Sequence, residues 1–205
     1  MGFGWLLIGY FFANVMSLYS PLSFSMLAGY PMMVMGLWHL SPYHTRFRYA
    51  FFTSLLSIPF AVYFSLYAFS QLGFQSFDFT SGSVYSAVEL CYFVFSLVFY
   101  ALLLYAIAGL AGELGLVALQ GNAWRNLIFL VLYYMLDGFL RLPLSWLTQV
   151  RMYFAIALIL LRFSILFLNM YLIFKCYRYI CPEGEDQSCN RSKKTPKKNK
   201  KGDDV

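Results

Sequence analysis

From residue 3 to residue 177 the chain is a series of apolar windows, each close to the ~20 residues an α-helix needs to cross a bilayer. They lie near 3–19, 24–40, 48–70, 84–111, 124–142 and 150–177. Lipid offers the backbone no hydrogen bonds, so windows of this kind fold as helices that satisfy their own amides and carbonyls. Composition excludes a soluble alternative: 60% of the 205 residues are hydrophobic and 12% charged, against about 25% charged in a soluble domain. The expected fold is all-α, a polytopic transmembrane helical bundle over residues 1–180 with a disordered, basic cytoplasmic tail over 181–205. The first two windows are short and joined by YSPLSF, where Pro21 and its serines favour a turn. They read as a tight transmembrane hairpin or as one span plus a re-entrant segment, which makes the total six or five. The start, MGFGWLLIGYFF, has no basic n-region and no small-residue cleavage site, so it reads as a retained span and not as a signal peptide.

The basic residues orient the bundle. Arg46, Arg48, Arg125, Lys175, Arg178 and the tail stretch RSKKTPKKNKK place twelve of fifteen on one side. Arg141 and Arg151 fall on the other, and Arg162 lies inside a window. Positive loops stay cytoplasmic, which puts the carboxy terminus inside; the amino terminus is inside with six spans and outside with five. Residues 191–201 hold seven of the basic residues, so the pI reports a tail and gives no reason to expect nucleic acid. Lys193, Lys194, Lys197, Lys198, Lys200 and Lys201 enforce topology and are candidate contacts to anionic lipid headgroups, each worth about 1 kcal/mol near the surface.

Because the windows are apolar all round, their few polar residues say most about which faces turn inward. In the last window Arg151, Arg162 and Asn169 are separated by eleven and seven residues, offsets that fall within about 20° of one helix meridian. Asn126, Asp137 and Arg141 share a face of the fifth window, and Ser86, Glu89 and Ser96 one of the fourth. Asp137 and Glu89 lie roughly 8 Å inside the outer ends of their helices. A charge at mid-membrane costs at least about 3 kcal/mol, and the long Arg162 side chain can extend outward to their level. Glu89, Asp137, Arg141 and Arg162 therefore form a candidate intramembrane charge cluster, neutral in sum, with Asn126 and Asn169 as candidate polar lining. Arg162 is expected to be held by Glu89, Asp137 or both, and Arg141 is one turn from Asp137.

Other residues carry less. His39 and His44 are five apart at a membrane edge beside Trp38 and Tyr43, with no carboxylate or Cys adjacent in sequence, and read as interfacial. Cys176, Cys181 and Cys189 lack zinc-ligand spacing, and Cys91 reads as apolar filler. Gly109, Gly112 and Gly115 indicate close helix approach or a bend at the inner boundary, and Glu113 beside them can reach water. No P-loop, GxSxG or HExxH pattern is present, no metal or cofactor is expected, and nothing argues for an enzyme.

LAGYPMMVMGLWHLSPYHTRFRYA and KCYRYICPEGED, together under a fifth of the chain, resemble the start and the juxtamembrane ending of a group of small multi-pass Firmicutes membrane proteins. Members often carry an acidic residue and a proline before the Gly-Tyr, whereas SPLSFSM here has no acid. The group has no assigned activity; the resemblance implies a bacterial inner membrane and supplies no catalytic residue. The first functional expectation is a non-enzymatic accessory, regulatory or helix-assembly component that binds another membrane protein. The alternative is a small proton- or ion-coupled transporter or channel using the charge cluster.

Overall fold

A computed structural model describes residues 2–16, 24–71, 82–141 and 145–180, without the side chains of 71, 83 and 145–152. Every regular element among them is helical: α1 (Gly2–Tyr10), extended by a π-helical turn (Phe11–Val15), α2 (Ser25–Leu40), α3 (Thr45–Leu56), α4 (Ile58–Gln71), α5 (Gly82–Glu113), α6 (Val117–Leu140) and α7 (Ser145–Ile180). The tail lysines 193–201, Cys181 and Cys189 lie outside the described residues, as does the side chain of Arg151.

Four helices are long and apolar enough to cross a membrane: Thr45–Ser70, Val84–Glu113, Val117–Leu140 and Tyr153–Ile180. The first joins α3 to α4 through Ser57. Pro59 has no N–H to give the carbonyl four residues back, and the Ser57 amide bonds the Ser54 carbonyl at 3.1 Å instead. Between α5 and α6 the chain reverses through Leu114–Leu116. Leu116 N donates to Ala111 O and Gly115 N to Gly112 O, the paired bonds that close a helix on a left-handed residue. Gly115 supplies that residue with φ +69°. Of the three expected glycines it makes the bend, while Gly109 leaves space for the Arg46 guanidinium, which stacks 4.2 Å from the Tyr105 centroid.

The amino-terminal hairpin sits at the middle of the bundle. Gly2–Val15 and α2, of 16 residues, span only about 21 and 24 Å, short of the ~30 Å hydrocarbon thickness. Glycines hold the two together. A Cβ on Gly9 would meet Met33 N at 2.6 Å, one on Gly36 would meet Leu6 N at 2.7 Å, and one on Gly29 would run into the backbone of Ala13. Such contact between backbones is how helices gain van der Waals attraction where lipid removes the hydrophobic drive. Around the hairpin, α2 packs on α3 and α4, α5 on α3 and α6, and α7 on α6 and α1. Phe3, Leu6, Met33, Leu37, Phe47, Phe99 and Ile107 are at most 1% exposed and form the dry interior. The Gly4 position adjoins the Tyr177 ring at 3.5 Å, so α1 begins at the end of the bundle where α7 finishes.

Candidate functional site

The polar faces of α6 and α7 meet at two levels. At the one nearer the α5–α6 turn, Asn126 Nδ2 donates to Asn169 Oδ1 at 3.2 Å, and Asn169 Nδ2 donates to the Tyr10 hydroxyl at 3.3 Å. Both asparagines are 2% exposed. They tie α6, α7 and α1 together inside packed protein, a level apart from the charged cavity they were expected to line. Two polar residues eleven and seven positions from the charges are close enough to bond each other because their helices already touch there.

Eleven residues further along α6 the picture changes. Asp137 and Arg141 share a face one turn apart, and Arg141 Nε reaches Asp137 Oδ2 at 3.1 Å. Arg141 also donates from Nη1 to Glu89 Oε1 at 2.9 Å, and its guanidinium carbon lies 4.8 Å from the Phe93 centroid. Helix polarity favours the placement: the cation caps the carboxyl end of α6, and Glu89 lies two turns into α5 from its amino end.

All four charged residues expected to gather line one cavity of about 210 Å³, with Met26, Phe64, Tyr85, Tyr92, Phe93, Ser96, Tyr133 and Tyr134. The partner choice differs from expectation. Both carboxylates close on Arg141, and Arg162 forms no ion pair among the described residues. Arg141 wins by being one helical turn from Asp137 and opposite Glu89, whereas Arg162 enters from α7. That helix is buried only below this level: Ile165, Leu166, Asn169, Leu172, Ile173 and Cys176 are buried, while none of residues 153–164 is, Leu161 packing on the core only in part.

Tyrosines form the floor. The Tyr92 and Tyr30 hydroxyls are 2.7 Å apart, and the Ser96 and Tyr134 hydroxyls 2.9 Å. Behind them Tyr100 donates to Asn14 Oδ1 at 2.7 Å, and Asn14 Nδ2 donates to the Tyr10 carbonyl at the start of the π turn. Ser86, expected on the Glu89 face, is exposed and bonds the Gly82 carbonyl. A second hollow of about 410 Å³ between α5 and α6 is lined by Leu97, Val98, Ala101, Leu102, Tyr105, Leu127 and Val131. It has almost nothing with which to hold a polar ligand.

At the opposite end, His44 has a carboxylate neighbour that the sequence did not place beside it. Its Nε2 lies 3.2 Å from Glu113 Oε1, and its Nδ1 accepts from the Arg46 amide at 3.0 Å to cap α3. His39 Nδ1 bonds the Met35 carbonyl at 2.8 Å. Cys176 is buried in the core and Cys91 is exposed on α5. Among the described residues no three His, Cys, Asp or Glu side chains gather as a metal would require. Comparison with protein-family models, curated proteins and solved structures finds no match to this chain.

Proposed function

We propose that this is a non-enzymatic membrane protein whose charged cavity binds a proton, an ion or a small polar solute and carries it across the bilayer. One observation carries the reading: Glu89, Asp137, Arg141 and Arg162, four residues each costly in lipid, line a single cavity of about 210 Å³. Residues serving only as glue between helices would be expected sealed against one another, as Asn126 and Asn169 are.

The accompanying topology is six segments, with both termini on the cytoplasmic side of a cell membrane. It is supported by the meeting of Gly4 with Tyr177 at one end of the bundle and by the basic residues gathered at that end. The cavity then faces the outer half. A bacterial inner membrane rests on the sequence resemblance alone, and headgroup contact by Lys193–Lys201 on the charge of the tail.

Purified protein in liposomes should pass protons or ions, and Asp137→Asn should abolish the flux. No flux, together with one partner that co-purifies at constant ratio, would overturn this in favour of a helix-assembly component. That second reading draws on α7, whose residues 153–164 include none that is buried and leave a helix surface for a partner to cover.

A further inference from the structure

The charges in the cavity are unequally engaged, and the imbalance has a sign. Both carboxylates are bound by Arg141 at 2.9 and 3.1 Å through one oxygen each, whereas the second guanidinium of the cavity is bound by neither. Arg162 makes no ion pair or hydrogen bond among the described residues. The hydroxyls of Tyr85 and Tyr133, which line the same cavity, likewise have no hydrogen bond there. Tyr133 lies within electrostatic reach of Arg162. A guanidinium is a planar fork of N–H donors that matches two oxygens of one anion, and phenolic O–H groups beside it complete such a set.

From this we infer that the ligand's anchoring group is an oxyanion, a phosphate or carboxylate held by Arg162 with Tyr85 and Tyr133. The inference rests on the cavity being a binding site and adds the charge of what binds. Arg141 improves the setting, because its two salt bridges offset part of the charge of the acids that would otherwise repel an anion. Inorganic phosphate from water and the phosphodiester of an anionic lipid share this chemistry. The second has a route in, since no residue of α7 from 153 to 164 is buried and Arg162 itself is exposed.

The tail lysines attract anions by themselves, so the test uses the full chain with Lys193, Lys194, Lys197, Lys198, Lys200 and Lys201 changed to Gln. Thermal unfolding is followed in a neutral detergent with inorganic phosphate, phosphatidylglycerol or phosphatidylcholine added. Phosphate or phosphatidylglycerol should protect and phosphatidylcholine should not. Protection by phosphate identifies a water-borne ligand, and protection by phosphatidylglycerol alone identifies a lipid headgroup. Arg162→Gln should weaken the protecting interaction about tenfold or more, the usual scale for a charge-assisted hydrogen bond. Arg162→Lys keeps the charge but loses the fork and should weaken it several-fold; it reads the site even if the Gln variant does not fold. Absence of protection by either anion, or equal protection of all three chains, overturns the inference. The carrier reading is judged separately by Asp137-dependent flux: flux without anion protection removes the oxyanion alone, and protection without flux removes carriage alone.

Discussion

The two halves of this bundle, the inner toward the α5–α6 turn and the outer toward the charged cavity, are built from the same apolar stretches and pack differently. In the inner half, α1 and α2 approach until backbone meets backbone at Gly9, Gly29 and Gly36, and α7 buries Leu172, Ile173 and Cys176 against them. In the outer half Met26, at the start of α2, lines a cavity with Arg162 and the acids, and no residue of α7 from 153 to 164 is buried. Small residues let helices touch, and in lipid that contact is the main source of cohesion. Charges separate helices and need solvation. The glycine contacts mark the filled regime, and the charges mark the one where a cavity has room to exist.

The largest expected effect comes from spoiling the closest approach. Even a methyl group on Gly29 would lie 2.8 Å from Ala13 Cα, and a backbone cannot swing aside as a side chain does. Gly29→Ala should cost about 3 kcal/mol, at the upper end for overpacking, and Gly29→Leu should yield little folded protein. Gly121 in α6 is the contrast, with nothing within 4 Å of its added Cβ. Gly121→Ala should be neutral or stabilising by up to about 1 kcal/mol, the helix-propensity difference. Unfolding by SDS in mixed micelles measures both. Equal behaviour of the two glycines would dissolve the distinction between a zipped and an open half.

That zipper was legible in principle. Gly2 and Gly9 are seven apart, as are Gly29 and Gly36, so two equal stripes faced each other in sequence across a turn, yet the windows were weighed for length and charge alone. Helix positions were readable because a bilayer imposes one length and one polarity on every span. The meeting of Glu89, Asp137, Arg141 and Arg162 was readable because eleven- and four-residue offsets fix a face and rise per residue fixes a depth. The pairing inside the cluster was not, since it turns on which guanidinium lies nearer by a few ångströms, and that depends on how far α7 stands from α5. The same holds for His44 and Glu113. Only the packing of α3 on α5 brings them together, and no periodicity in either segment announces it.

A second comparison, between the two arginines of the cavity, should give the next largest effect. Arg141 pairs with two acids, and its removal takes that partner from both in a medium of low dielectric. Breaking a buried pair costs about 3–5 kcal/mol. With side-chain exposures of 31% for Arg141 and 38% for Glu89, Arg141→Gln should cost less, about 2 kcal/mol. Adding Glu89→Gln to Arg141→Gln should recover part of the loss, because it removes one of the orphaned charges. Arg162→Gln should leave stability unchanged or raise it, since it takes away a cation that no carboxylate holds. A reversal, with Arg162→Gln the more damaging, would mean that the acids switch to Arg162 and that the pairing described above is one of two states.

The smallest effect tests the inner edge, where His44 serves two partners with one ring. Its Nδ1 caps α3 by accepting the Arg46 amide, which places the ring proton on Nε2, toward Glu113 at 3.2 Å. The Glu113 side chain is 61% exposed, and a contact to a carboxylate so open to solvent is worth a few tenths of a kcal/mol. The cap is worth about 1 kcal/mol. His44→Ala should therefore cost about 1 kcal/mol, while His44→Asn, whose side-chain oxygen can take over the Arg46 amide, should cost only a few tenths of a kcal/mol. Glu113→Gln should match the Asn variant. If Glu113→Gln costs as much as His44→Ala in the same SDS titration, α3 and α5 are held together by the bond from His44 to Glu113, and capping at His44 is incidental.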